Sequence, residues 1–399
     1  MTRTERIDGT DIRFRRQGSG DRALVFVHGF LDDQYVWDGV IAELTTQGFE
    51  TLQLDLAGSG DRTGAEGPFT LERFAADVGA VVDAVDKPFV LVGQSMGAPV
   101  AELVAARRAS RAMGLVLLTP APLAGTGLPD EAIEQFRSLG GKPEAQRATR
   151  QQLSVALPEA ELDRLVVTGS RVPKQVVRDV ADCWNNGHPD GSRSSDYQGP
   201  VLIVRGAGDG FVTEELVADA VAPRFLSVET MVVEGAGHWA HIESPKAVAA
   251  AIDTLLTELL AVRADNASHG WRGAFTNKST DDFGKTFATD VVLEASVITR
   301  PIEGREKVKV AMGTASGIYE SLDFTHEASN GSSTYLEWEA TAFGGVAISG
   351  VTVLTRNDRG QILRAAIHHR PLGAALAFSA EMRKRLDGAI DPSHFYDHG

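Results

Sequence analysis

The stretch Phe89-Val90-Leu91-Val92-Gly93-Gln94-Ser95-Met96-Gly97-Ala98-Pro99-Val100 decides how the chain reads. Its first four residues are apolar, three of them aromatic or β-branched, as in a strand buried on both faces. Gly93 and Gly97 bracket a tight turn, and Ala98–Arg107 is a helix-forming run. A strand, a G-x-S-x-G turn and a helix, in that order, lift the Ser95 hydroxyl out of the sheet edge.

Similar short apolar runs flank this stretch: Ala23–Val27, Thr51–Leu56, Leu115–Leu118, Val201–Val204 and Met231–Val233. Helical patterns lie between several of them, at Asp38–Thr46, Thr70–Val85 and Met96–Arg107. Alternating strand and helix predicts an α/β domain with a mostly parallel sheet. Ile7 to Ile12, with Asp8-Gly9 as its turn, reads as an antiparallel hairpin at the start. Between Thr119 and Gln198 no strand-like run occurs. Helical spacing at Asp130–Leu139, Glu144–Leu157 and Pro173–Trp184 predicts a helical lid over about 122–197.

Ser244-Pro245 opens a further helix, expected to end near Val262. Residues 264–270 are small and polar, as in a linker. Beyond them one helical stretch, Gly270–Phe287, precedes alternating patterns at Val291–Ser296, Leu322–Ser329, Ser333–Ala342, Gly345–Arg356 and Gln361–His369. A last helix is expected over Leu372–Leu386. The expected division is therefore 1–263, a linker at 264–270, an α+β domain at 271–390 and a tail at 391–399.

Bulk composition narrows the function. With 54 acidic against 39 basic residues the chain carries a formal charge of −15, which disfavours nucleic acid and anionic membranes as partners. Arg383-Lys384-Arg385 is short and complements a helix C-terminus. A single cysteine, Cys183, excludes an intrachain disulfide and fits a reducing compartment. Residues 1–6 lead into no apolar signal segment, so a soluble cytoplasmic protein is expected.

A serine hydroxyl needs a base and a fixed oxyanion-binding site to attack a carbonyl. Of the ten histidines, His238 follows the last strand-like run of the first domain, where catalytic loops collect in open α/β sheets. Asp209, after Val201–Val204 in Gly206-Ala207-Gly208-Asp209, is the acid to orient it. His28-Gly29-Phe30 ends Ala23–Val27, so the Phe30 and Met96 amides form the expected oxyanion pair. His28 itself reads as a tie between loops. Although His238-x-x-His241 with Glu243 imitates a metal site, no third or fourth ligand follows at suitable spacing, so no metal is expected.

With these landmarks and Asp55-Leu56-Ala57-Gly58-Ser59-Gly60, residues 5–262 resemble the α/β-hydrolase superfamily. The resemblance implies an eight-stranded, mostly parallel sheet and a catalytic triad of Ser95, Asp209 and His238. A serine at the elbow separates the chain from aspartate-nucleophile dehalogenases and epoxide hydrolases. The branches left are carboxylesterases and lactonases, cofactor-free haloperoxidases or perhydrolases, and carbon–carbon bond hydrolases. The last would use a lid arginine, with Arg171 and Arg178 available. Phe30, Trp184 and Trp239 are candidates to line an apolar acyl pocket, with His28 and Gly29 beside them. The expected substrate is a small ester-like molecule, and no cofactor is expected.

Residues 271–390 resemble the nuclear-transport-factor-2-like superfold, in its SnoaL-like branch, through Trp271-Arg272-Gly273-Ala274-Phe275, Phe287–Glu294, Ile302–Glu306 and His369-Arg370-Pro371-Leu372. That implies a cone with an apolar pocket and homodimerisation through its sheet. It also leaves open a bifunctional enzyme whose second pocket isomerises or cyclises a small molecule. The aspartate base and Tyr/Asp oxyanion pair of a ketosteroid-isomerising member of that superfold find no matching positions here. Asp290, Glu337, His326 and His368 are the polar groups weighed for the pocket. His368 and His369 point to opposite faces of a strand.

Overall fold

The computed structural model describes residues 2–7, 10–330, 332–357 and 360–396; for 2–7, 10, 11, 261–269 and 330 the backbone alone is described. The chain divides into two compact units, Met1–Leu259 and Leu260–Gly399.

The first unit is an eight-stranded sheet. Its strands are β1 (Thr2–Ile7), β2 (Thr10–Gln17), β3 (Arg22–Val27), β4 (Phe49–Leu54), β5 (Phe89–Gln94), β6 (Ala112–Leu118), β7 (Val201–Gly206) and β8 (Val228–Val233). They lie in the order β1-β2-β4-β3-β5-β6-β7-β8. β1 pairs antiparallel with β2, and β2 with β4; the other six strands run parallel. Asp8 and Gly9, the expected hairpin turn, lie outside the described residues.

Side chains alternate across the central strands, because successive Cβ atoms point to opposite faces. Val25, Val27 and Leu91 enter one core with Phe74, Val78, Val100 and Val104. Those partners belong to α2 (Leu71–Val85) and α3 (Gly97–Arg107), after the short α1 (Asp38–Glu43). Leu24, Phe26, Val90 and Val92 enter the other core with Trp37, Val40, Val248 and Ile252. Each large apolar side chain buried this way contributes about 1.5–3 kcal/mol. The strand order reverses between β3 and β5, so their C-terminal ends open a crevice where ligands collect.

Four helices fill the interval between β6 and β7: α4 (Asp130–Arg137), α5 (Pro143–Leu153), α6 (Glu159–Ser170) and α7 (Lys174–Asn186). The spacing predicted three. The run expected to continue to Leu157 stops at Leu153, and α6 begins after Pro158, which cannot continue a helix. Leu162, Leu165 and Val166 carry the i, i+3, i+4 signal of α6, but Thr168-Gly169-Ser170 has low helix propensity and obscured it.

Two short helices follow, α8 (Glu214–Leu216) and α9 (Ala240–Glu243), and then α10 (Pro245–Asn277). α10 runs through residues 264–270, where the sequence suggested a linker; that stretch contains no proline, and its one glycine is the last residue.

The second unit has six strands: β9 (Phe287–Ala295), β10 (Ile302–Glu303), β11 (Ser321–Asn330), β12 (Ser333–Ala342), β13 (Val346–Arg356) and β14 (Ile362–Arg370). Their order is β10-β9-β14-β13-β12-β11, antiparallel except where β14 meets β9. Helices α11 (Thr280–Thr286), α12 (Arg305–Ser316) and α13 (Leu372–Arg385) complete an α+β unit. α12 escaped the sequence reading, which took Ile302–Glu306 only as a motif. The expected tail is in fact partly packed: Phe395 is buried and bridges to Ile298.

Candidate active site

The turn at the end of β5 is held in a conformation that costs about 1–2 kcal/mol for an L-residue. Ser95 has φ +51°. A Cβ on Gly93 would come within 2.3 Å of the Gly97 carbonyl, and one on Gly97 within 2.4 Å of that of Val27, so only glycine fits either position. Three backbone hydrogen bonds fix the strained residue. The Ser95 amide donates to Leu118 O at 3.0 Å, and its carbonyl accepts from Ala98 and Ala121.

His238 and Asp209 meet Ser95 across the crevice. His238 Nε2 lies 3.0 Å from Ser95 Oγ, and Nδ1 lies 2.8 Å from Asp209 Oδ2. The other carboxylate oxygen of Asp209 accepts from the Phe211 and Val212 amides, at 2.8 and 3.0 Å. Burial opposes ionisation of Asp209, but His238 and the two amides outweigh it and hold the carboxyl below its usual range. An ionised Asp209 takes the Nδ1 proton as a hydrogen bond, which leaves Nε2 free to accept from the serine hydroxyl. The arrangement can therefore carry a proton from serine to imidazole without moving a heavy atom.

The backbone of His238 is fixed from two sides. Its amide donates to Leu153 O, at the end of α5, at 2.8 Å. Its carbonyl accepts from Gln94 Nε2 and Thr119 Oγ1. Glu243 adds a clamp: its carboxylate accepts from the amides of Gly237 and Trp239, on either side of His238, and from those of Val155 and Ala156 between α5 and α6. Sequence reasoning met Glu243 only as part of an apparent metal motif. His241 in that motif is fully buried, packs at a tilt against Trp37 with centroids 4.7 Å apart, and is pushed down to about 3 by burial. Among the described residues no group of three or more His, Cys, Asp or Glu side chains is placed to hold a metal ion.

A cavity of about 570 Å³, its mouth included, opens over Ser95 and His238. Phe30, Phe136, Trp184, Phe211 and Trp239 line it. Trp184 packs edge-on to Phe30, Phe136 and Phe211, with centroids 5.2–5.9 Å apart. His28 and Gly29, expected at the pocket, stand behind its wall. The His28 imidazole is fully buried, accepting from the Leu56 amide at 3.0 Å and bonding the Gly29 carbonyl at 2.8 Å. Neither expected lid arginine reaches the cavity: Arg178 pairs with Glu134 at the surface, and Arg171 is exposed.

The arginine in the wall is Arg150, on α5, which sequence reasoning missed. Its guanidinium is buried, 2.9 Å from Asp32 Oδ1, and donates to Leu31 O at 2.8 Å. The other Asp32 oxygen accepts from Trp239 Nε1 at 3.0 Å. Asp32 thus joins the loop after β3, the lid and the residue beside His238. Only its separation of two positions from Phe30 could have hinted at this in sequence.

A largely parallel eight-stranded sheet with a serine elbow, an acid and a base on successive strand ends defines an α/β-hydrolase-type protein. The chain belongs to the alpha/beta hydrolase family, which it matches over residues 24–251. It is 30% identical over 254 residues to 2-succinyl-6-hydroxy-2,4-cyclohexadiene-1-carboxylate synthase of Enterobacter sp. (strain 638), covering 58% of this chain and 91% of that one. It is 26% identical over 245 residues to esterase YbfF of Escherichia coli (strain K12), covering 59% and 93%. Among solved structures, a bromoperoxidase from Bacillus anthracis superimposes with a TM-score of 0.57 at 17% identity, covering 64% of this chain and all of that one. The second unit lies outside the family match.

Proposed function

We propose that the chain hydrolyses an ester-like bond of a small, neutral, largely apolar molecule through an acyl-enzyme on Ser95. The observation that carries this reading is the hydrogen-bonded line from Ser95 through His238 to Asp209, at 3.0 and 2.8 Å, at the floor of an aromatic cavity. His238 Nε2 takes the Ser95 proton as Oγ bonds to the substrate carbonyl carbon. The amides of Phe30 and Met96 receive the oxyanion. Collapse expels the alcohol, protonated by His238, and leaves the acyl-serine. Water, deprotonated by His238, then attacks; Ser95 leaves with the proton returned, and the acid is released. Asp209 stabilises the imidazolium in both halves.

The cavity favours a neutral acyl group over the anionic dienones of carbon–carbon hydrolases. Its one guanidinium, that of Arg150, is already matched by Asp32 and Leu31 O. Hydrogen peroxide in place of water would make the same acyl-enzyme a perhydrolase, as the bromoperoxidase-like fold allows. The second unit is read as nuclear-transport-factor-2-like, with homodimerisation as its contribution; light scattering of the intact chain tests this, and a strict monomer overturns it. The catalytic reading is tested by fluorophosphonate labelling and by hydrolysis of acyl esters of graded length. Ser95→Ala should abolish both in a folded protein; labelling that survives the substitution refutes it.

A further inference from the structure

The second unit encloses a cavity of its own, about 510 Å³ including its mouth. Its wall is apolar: Leu293, Ile302, Met312, Phe324 and Met382 are among the residues that line it. No Lys, Arg, Asp or Glu is in the described lining. The groups weighed from sequence are elsewhere, since Asp290, His326, Glu337 and His368 are all exposed. The polar side chains in the wall are Tyr319, Trp338, Thr352 and His369. Trp338 Nε1 donates to Thr352 Oγ1 at 3.1 Å, so these two satisfy each other.

Tyr319 and His369 form a different arrangement. The Tyr319 hydroxyl lies 3.0 Å from His369 Nε2. On the far side of the ring, Nδ1 lies 3.2 Å from Ser296 Oγ, which also accepts from the His369 amide at 2.8 Å. Aromatic contacts hold both rings: Phe378 is 4.9 Å from Tyr319 and 5.4 Å from His369, and Trp338 touches both at 5.8 and 5.2 Å. Burial, and the neighbouring His368, push His369 down to about 4, and burial pushes the Tyr319 phenol up. Both groups are neutral near pH 7.

A buried phenol that makes one hydrogen bond to an imidazole keeps further capacity. With the Ser296 hydroxyl donating to Nδ1, Nε2–H donates to the phenol oxygen, and the phenol O–H is left for a ligand. In the other tautomer Nδ1–H donates to Ser296 Oγ and the phenol O–H donates to Nε2, so a carbonyl ligand selects the first form. Leaving such a donor unpaired in an apolar wall costs free energy that a ligand oxygen recovers.

We propose that the cavity of the second unit is a binding site for a neutral, largely apolar small molecule, whose carbonyl oxygen accepts from Tyr319 Oη with His369 and Ser296 orienting the phenol. This site is independent of the Ser95 chemistry.

The test uses the full chain with Ser95 blocked by a phosphonate, so that the first cavity is filled. The probe is a 6-acyl-2-dialkylaminonaphthalene, whose emission reports hydrogen bonding to its carbonyl. Saturable binding is expected. Tyr319→Phe should weaken it about tenfold, the worth of one net hydrogen bond, and shift the bound emission to the blue. An alkylnaphthalene without the carbonyl should bind both proteins equally, and the carboxylate analogue at least tenfold more weakly than the ketone. Ala315→Phe should occlude the cavity for ketone and hydrocarbon alike; should that variant fail to fold, Tyr319→Phe decides alone. Absence of saturable binding, or equal ketone affinity in the Tyr319→Phe protein, overturns the proposal. Ester turnover in unblocked Tyr319→Phe should be unchanged.

Discussion

Replacing Asp32 by alanine tests the most heavily connected polar group beside the active site. Both Asp32 and Arg150 are almost wholly buried, at 1% and 2% exposed. Removing the carboxylate strands the guanidinium and deprives Trp239 Nε1 of its acceptor. Breaking a buried pair from one side costs about 3–5 kcal/mol. Arg150 keeps its bond to Leu31 O, which argues for the lower half of that range, about 3–4 kcal/mol. For a unit of this size each kcal/mol moves the midpoint by about 2–4 °C, so Asp32→Ala should melt roughly 6–16 °C lower. The double substitution Asp32→Leu with Arg150→Met removes both charges and should lie within about 1–2 kcal/mol of the parent. Burial disfavours the Asp32 anion, but the Arg150 guanidinium and the bond from Trp239 outweigh it and hold the carboxyl below its usual range. Its contribution is thus present above the unfolded-state value near 4 and lost as pH falls through the lower folded value, so pH 7 measures all of it. Urea unfolding of the two single variants and the double closes the cycle. Single losses under about 1 kcal/mol, or a double variant that loses the sum of the singles, would refute the reasoning.

Asp209→Asn should leave the fold intact and lower kcat for ester hydrolysis by about 10³–10⁴, because an amide can hold the wrong imidazole tautomer; a loss below tenfold would remove Asp209 from its role. His241, buried and pushed down to about 3, is neutral in the folded chain but charges near 6.5 when unfolded. The unfolded state therefore binds the extra proton between those values, and stability should fall as pH drops below about 6.5, by up to about 1.4 kcal/mol per pH unit. His241→Phe, which keeps an aromatic ring against Trp37, should flatten that slope in urea titrations; an unaltered slope contradicts it. Glu243→Ala frees the amides on both sides of His238 and should lower kcat about 10–100-fold with little change in KM, whereas Trp184→Ala should act mainly on KM. The reverse pattern would show that the clamp does not position the base.

How much of this was legible depended on whether a feature is local. The Ser95 turn is written in the twelve consecutive residues Phe89–Val100, since the strand, the two glycines and the helix each carry their own signal. Asp209 and His238 were found because strand ends recur in sequence and the sheet brings them together. Glu243, Arg150 and Asp32 were not, because their partners are backbone amides or side chains as many as 207 positions away, and no spacing encodes that. The helical backbone of residues 264–270 was not foreseen for a related reason. Small polar residues with no proline favour neither coil nor helix decisively, and the helix on either side continues through them. In the second unit, alternation correctly separated His368 from His369. It did not say that His369 faces a cavity, which depends on Tyr319 arriving from the loop after α12.

The lid is better understood as two parts with different duties. The end of α5 and the loop after it are bound to catalytic loops by three independent polar links: Leu153 O to the His238 amide, Val155 and Ala156 to Glu243, and Arg150 to Asp32. Each link ends within six positions of His238 or Phe30. A segment held this way cannot swing open without releasing His238 and the loop of Phe30, so under the proposed mechanism it belongs to the scaffold that preorganises the chemistry. α4 and α7 instead present Phe136 and Trp184 to the cavity. Trp184 and Phe136 meet each other and Phe211 through apolar ring contacts, which can repack around different acyl groups at modest cost. Polar ties thus fix the backbone around His238 and Phe30, while aromatic packing leaves the opposite wall of the cavity free to change shape.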